Sequence, residues 1–199
     1  MKTHYDWSDD PDYVCRAGQI NLQFIPEKRY LMVDGQGDPN CSEAFQVGVQ
    51  SLYRVAYRCK FMHKQLKYRV MPLEGLWWAT DMDAFIKAER QHWQWRLMIQ
   101  QPSWVDSALL QQAFAKESES QTLAPGLRLE NYQAGWVAQA LHRGPYDQEG
   151  PLIQEIHAKI AEHGQISGLH QEIYLNDRRR CKPENLRTLI RQTFIPEAT

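Results

Sequence analysis

The sequence is first informative for what it lacks. Its cysteines, Cys15, Cys41, Cys59 and Cys181, form no CxxC pair and do not fall beside histidines at metal-ligand spacing. That excludes the common zinc-site patterns and leaves four reduced thiols in a reducing compartment as the expectation. Its histidines include no pair four apart with an intervening glutamate, so neither a metal nor any other cofactor is expected. No run approaches the ~18 apolar residues that a membrane span needs, and acids stand in MKTHYDWSDDPDY where a secretory leader would be apolar. A soluble cytoplasmic protein is therefore expected. An excess of one charge is missing too: 23 Lys and Arg stand against 24 Asp and Glu, for a net charge of -1. Nothing in that balance calls for direct nucleic-acid contact. The loop DGQGDPN at 34–40 has two glycines but not the third of a dinucleotide fingerprint, and reads as a turn.

What the chain does have is aromatic surface: 7 Trp, 9 Tyr and 6 Phe in 199 residues. A core uses some of these, and a ligand cleft would use the others. Two stretches place a carboxylate among them. YRVMPLEGLWW at 68–78 sets Glu74 close to Trp77 and Trp78, and LHQEIYL at 169–175 sets Glu172 beside Tyr174. An acid among large aromatics is costly to bury, and burial raises its pKa toward values useful for proton transfer or for pairing with a cation.

The periodicities predict a doubled plan. A strand lies within 24–33, most strongly over Arg29 to Val33. Asn40 with Glu43 is a capping-box signature for a helix from about Cys41, whose apolar stripe is Phe45, Val49, Leu52, Tyr53 and Ala56. Pro72 interrupts a strand or places it at an edge. Thr80 to Arg90 is expected as a short helix. From His92 to Gln100 the residues alternate, with Trp93, Trp95, Leu97 and Ile99 on one face and Arg96 and Met98 on the other. Asp106 caps a helix carrying Leu109, Leu110, Ala113 and Phe114. After a polar stretch ending in Pro-Gly come strands at 127–132 and 136–142, a helix at 151–163, and strands at 169–175 and 186–192.

The expected fold is thus α+β: two tandem strand-helix-strand-strand modules forming a curved antiparallel sheet. Two main helices would cover one face and a ligand cleft would occupy the other. Residues 1–22 read as an N-terminal arm and 23–199 as the domain. Within it the first module spans about 23–118, a linker about 117–126, and the second module about 127–199.

On a strand at 169–175, Glu172 and Tyr174 share one face, while Ile173 and Leu175 share the other. Placing the aliphatic pair under the helices turns Glu172 and Tyr174 toward the cleft. Glu74 occupies the matching element of the first module and would face Glu172 across a pseudo-axis. Two close carboxylates push their pKa values apart, so one serves as acid and the other as base. Trp77 and Trp78 point to opposite sides, so at most one lines the cleft. Either Trp93 and Trp95 face the ligand or Arg96 and Met98 do. Tyr146, after Gly144-Pro145, either closes one end of the cleft or packs as a turn residue. Arg178, Arg179 and Arg180 read as a solvated loop.

Taken together, DGQGDPN at 34–40, YRVMPLEGLWW at 68–78, WQWRLMIQQP at 93–102, LHRGPY at 141–146 and HQEIYLNDRRR at 170–180 resemble the GyrI-like small-molecule-binding domain family, in its stand-alone branch. The likeness runs from about Pro26 to the end. It implies tandem modules with a cleft at their pseudo-twofold axis and a glutamate in that cleft, here Glu172. In members fused to a DNA-binding domain the cleft senses lipophilic cationic drugs. In some stand-alone members it hydrolyses the cyclopropane of DNA-alkylating natural products, and other relatives bind DNA gyrase. The resemblance therefore implies a binder of hydrophobic, aromatic or cationic small molecules that hydrolyses electrophilic cyclopropane-type compounds for detoxification. Glu172, Glu74 and Tyr174 are its catalytic candidates, and Trp77, Trp78, Trp95, Arg96, Met98 and Tyr146 its ligand contacts. The alternatives are a multidrug-binding module without chemistry, for sequestering or sensing, and a gyrase-interacting protein. Oligomeric state is not legible in the sequence.

Overall fold

Long alternating strands pair antiparallel in both halves of the chain, and each half lays a helix on its strands. The structure, a computed structural model, describes residues 4–62, 67–79 and 90–197. The expected helix at Thr80 to Arg90 falls almost wholly outside the described residues. The chain divides into two units, one made of residues 1–7 and 28–132, the other of 8–27 and 133–199. In chain order the elements are β1 (His4–Tyr5), β2 (Ile20–Ile25), β3 (Lys28–Gln36), α1 (Glu43–Met62), β4 (Lys67–Tyr68), β5 (Leu73–Ala79) and β6 (Trp93–Gln100). They continue as α2 (Ser107–Ser118), β7 (Arg128–Tyr132), β8 (Gly135–Arg143), α3 (Gly150–Ala161), β9 (Gly164–Tyr174) and β10 (Arg187–Pro196). The class is α+β, as the alternation of helical and strand periods predicts. No helix among the described residues is long and apolar enough to cross a membrane.

In the first unit the strand order is β5-β6-β3-β7, every pair antiparallel. α1 begins two residues later than the Asn40 signature predicts. Asp38 ties Asn40 into a turn, and the Ser42 hydroxyl accepts from the Phe45 N–H at 3.2 Å instead. The buried face is Phe45, Gly48, Leu52, Val55, Ala56 and Cys59. It is rotated from the expected stripe, because Tyr53 joins Tyr57 and Phe61 in a row of ring contacts along the helix. Gly48 serves the close approach its position suggests: a methyl group there would lie 3.3 Å from Val33. α2 is capped by Asp106, whose carboxylate accepts from the Leu109 N–H at 2.8 Å. It locks to α1 through Glu117, which takes Arg58 at 2.5 Å and Arg54 at 2.9 Å. Burial alone would raise the Glu117 carboxyl, and the two guanidinium groups overcome it and hold the pKa low. Pro72 falls in the gap between β4 and β5, where its missing N–H costs no ladder bond.

In the second unit the order is β2-β8-β10-β9, again antiparallel throughout. Ile20–Ile25, whose first three residues fall in the expected arm and whose last two fall in the expected strand region, pairs with β8 along its length. α3 starts with Pro151 in its first turn, as the sequence suggests. It buries Ile156 and Ile160 against Ala138, Ala140, Ile190 and Phe194. Each such isoleucine contributes roughly 1.5–3 kcal/mol of transfer free energy. The opposite face of the same strands is covered by the segment before β2. Tyr13 and Cys15 are buried there, and Arg191 of β10 donates to the Gln139 side chain and to the Asp12 carbonyl with its guanidinium over the Tyr13 ring.

One close approach is testable. Trp95 lies flat on the bare backbone of Gly35, where a Cβ would sit 2.1 Å from the indole. Gly35→Ala is expected to lower stability by about 1–3 kcal/mol through overpacking. Urea unfolding should show an earlier midpoint with an unchanged slope, and an unmoved midpoint would mean that the ring has room to shift.

Candidate functional site

The geometry of β9 decides where its acid points. Cross-strand partners in an antiparallel pair share a face. Glu172 stands opposite Ile190, Tyr174 opposite Thr188, and His170 opposite Gln192. Ile190 packs against Ile156 and Ile160 of α3. Glu172 and Tyr174 therefore lie on the α3 side of their strands, not on the face away from the helix as the alternation suggested. The inference failed because Ile173 has a second place to be buried. It lies on the face that the segment around Tyr13 covers, where it is 0% exposed.

On the α3 side a polar cluster forms. The Tyr174 hydroxyl donates to Glu172 Oε2 at 2.7 Å, and His170 Nε2 donates to Glu172 Oε1 at 3.3 Å. These three residues sit at i, i+2 and i+4, so one strand face aims them together. Tyr146, from the turn before α3, meets Tyr174 edge-on with ring centroids 5.6 Å apart. Burial pushes the Tyr146 hydroxyl up to about 12. Tyr174 is raised well above the ordinary tyrosine value, first by burial and then by the Glu172 charge. Both tyrosines stay protonated, and the Tyr174 hydroxyl donates to Glu172. The Glu172 side chain remains 16% exposed.

Three further members were not singled out by sequence reasoning. His170 could have been found from the same alternation that marked Glu172. Glu149 and His157 could not, because only the seating of α3 on the strands brings them near β9. Glu149 immediately precedes α3, yet its side chain makes no capping bond and is buried instead. Burial, with the Glu172 charge added, pushes its carboxyl up to about 9, against a Thr188 hydrogen bond that lowers it. His157, on α3, hydrogen-bonds the Gln192 side chain and lies near His170; burial and that neighbour lower its pKa.

The first unit divides its candidates between two faces. Trp77 and Trp95 point toward α1, packing on Phe45 at 6.0 and 5.3 Å between ring centroids. Their surface is part of the core. Glu74, Leu76 and Trp78 point away from α1, opposite Met98, Arg96 and Gln94 respectively. Glu74 and Met98 are fully buried on that face. Trp78 is half-buried and donates its indole N–H to Gln94 at 2.8 Å. Arg96 is engaged by Asp34 at 2.6 Å, and Asp34 also holds Arg128 at 3.0 Å. Burial opposes ionisation of Asp34, but the two arginines keep its pKa low. Thus Glu172, Tyr174 and Tyr146 come together in the second unit, while the first unit separates Trp77 and Trp95 from Glu74, Trp78, Arg96 and Met98. Among the described residues, no group of three His, Cys, Asp or Glu is placed to hold a metal.

Comparison with known proteins places this geometry. The model of the GyrI-like small molecule binding domain matches residues 18–192. No curated protein matches the sequence. Among solved structures, an uncharacterized conserved protein from Listeria innocua is 29% identical with a TM-score of 0.86, covering 96% of this chain and 100% of its own. A hydrolase from Listeria innocua is 27% identical with a TM-score of 0.82 over the same shares of the two chains. The EcmrR C-terminal domain shares the fold, with a TM-score of 0.56 at 8% identity over 90% of this chain and 98% of its own.

The burial of His157 sets a pH dependence. Its folded pKa lies below its ordinary value of 6.5. The stability it supports is complete above that pH and is lost as pH falls through the depressed folded value. His157→Gln should flatten the loss of thermal stability on acidification below pH 6.5. Superimposable melting profiles for variant and wild type would remove His157 from the account.

Proposed function

Because the chain belongs to the GyrI-like small molecule binding domain family, we propose that it binds hydrophobic, aromatic or cationic small molecules and hydrolyses electrophilic cyclopropane-type compounds among them. The observation that carries the proposal is the Glu172 carboxylate, partly exposed to solvent and held by Tyr174 at 2.7 Å and His170 at 3.3 Å. Two donors on one carboxylate fix its direction and leave it a proton acceptor. Glu172 takes a proton from water as the water oxygen attacks a cyclopropane carbon. The ring bond breaks toward a conjugated carbonyl, whose oxygen is protonated by Tyr174 or by a second carboxyl. General acid-base help of this kind is worth on the order of 10²–10⁴-fold. The likeness at 27% identity to a Listeria innocua protein described as a hydrolase supports the catalytic reading.

Tyr146 and Tyr174 supply flat surface beside the carboxylate. A cationic aromatic ligand gains from both, at ~0.5–2 kcal/mol per well-placed ring. In the first unit, taken alone, Trp78 and Arg96 are the residues proposed for ligand contact, with Glu74 and Met98 on the same face. The proposed setting is the cytoplasm, where the four free thiols stay reduced, and the proposed role is detoxification. The same Glu172–tyrosine arrangement also suits a second reading, a binder of cationic drugs without turnover.

Incubation with a cyclopropane-bearing alkylator, followed by mass spectrometry, separates the two. Ring-opened product carrying one added water is expected above the buffer rate. Glu172→Gln is expected to lower turnover by about 10²-fold or more while its melting profile stays cooperative. Saturable binding without product would establish the binder, and full activity in the variant would exclude Glu172 as the base.

A further inference from the structure

The polar cluster holds a group that the reading above leaves unused. Glu149 is 4% exposed, and its Oε1 has no hydrogen-bond partner among the described residues. An unpartnered polar atom at that depth is destabilising. It occupies the residue before α3, where a carboxylate would normally cap the helix and gain from its dipole. Instead its side chain makes no capping bond and enters the cluster, where the Thr188 hydroxyl donates to it and the Glu172 charge acts on it. The chain thus forgoes a favourable cap and keeps an acid in a place that disfavours its charge.

We infer that Glu149 is the protonated acid that completes the site, donating its proton to the carbonyl oxygen of the ligand while Glu172 receives one from water. The assignment rests on the hydrolytic reading for its chemical consequence and on geometry for its protonation. In the step, a water oxygen bonds to the ring carbon as the ring C–C bond breaks. The electron pair moves through the conjugated system to the carbonyl oxygen, which takes the Glu149 proton and becomes a hydroxyl. Glu172 gains the water proton. The pair resets when Glu172 releases that proton and Glu149 regains one, so the sum is substrate plus water to ring-opened alcohol.

The groups facing Glu149 favour this division of labour. From β9 come Glu172 and Tyr174, from β10 Thr188, and from the turn Tyr146. Arg178 and Asp177, in the loop after β9, act on Tyr146. Further along α3, His157 faces His170. Among the described residues, the groups acting on Glu149 are its burial and the Glu172 charge against the Thr188 hydrogen bond, with no cation to offset them, so Glu149 keeps its proton.

The test uses Glu149→Gln, which keeps size and neutrality but cannot transfer a proton. With a carbonyl-conjugated cyclopropane substrate, wild-type kcat should fall as pH rises through about 9. The variant should lose that alkaline limb, with kcat about 10²-fold lower at neutral pH and KM little changed. A limb that persists in the variant, or an unchanged kcat, overturns the assignment. Protonation is read separately by stability. A carboxyl whose pKa rises from 4.5 to about 9 on folding makes wild-type stability fall across that interval as pH rises. The melting temperature of the variant minus that of wild type should therefore grow from pH 4.5 to 9 and then level off. A flat difference means Glu149 is ionised and sinks the inference, whatever the turnover. A growing difference with no turnover in wild type sinks the hydrolytic reading and leaves Glu149 as a neutral donor to a bound ligand.

Discussion

The guanidinium of Arg191 is the interaction on which the second unit's site depends. It is buried on β10, and its neighbours are the Gln139 side chain, the Asp12 carbonyl and the Tyr13 ring. A buried cation is costly unless its hydrogen bonds are met, and breaking such a set is far worse than never forming it. They are met here by laying the segment before β2 across the strands. That segment closes the face opposite α3, and with both faces covered, the polar residues of β9 collect beside α3.

Two carboxyls beside one helix end would normally repel each other, and the structure resolves the conflict by environment. Glu172 keeps solvent on one side and two donors on its oxygens, whereas Glu149 is enclosed and faces the Glu172 charge. At Glu149 burial and the neighbouring Glu172 charge outweigh the Thr188 hydrogen bond, so the proton belongs on Glu149. The two tyrosines, held protonated by burial, complete a site rich in donors around one anion.

In the first unit the aromatic surplus is largely structural. Trp95 takes the space that Gly35 leaves by lacking a side chain, and Trp77 covers Gly75 in the same way. Glycine next to a bulky aromatic in a strand is a packing signal, and it is readable in advance only when the cross-strand register is known. Gly35 and Trp95 are register partners 60 residues apart in sequence. Other elements were legible from local chemistry alone: the cap at Asp106, Pro151 in the first turn of α3, and the alternating strand at Trp93–Gln100. The start of β2 was not, because its residues before Ile25 are at most partly buried and carry no clean period. β7 was recognised as a strand, but nothing local could say that its partner is β3.

The sequence by itself determined the α+β class, the strand and helix periods, the family, and the pairing of Glu172 with Tyr174 on one strand face. Those properties are local, set by residues two to four positions apart. Only the tertiary structure decided which face that was, and that Glu149 and His157 would share it. An alternating strand buried on both sides presents an aliphatic face and a polar face without saying which lies under the helix. The choice was made by Arg191 and the chain it holds, more than 170 residues away in sequence.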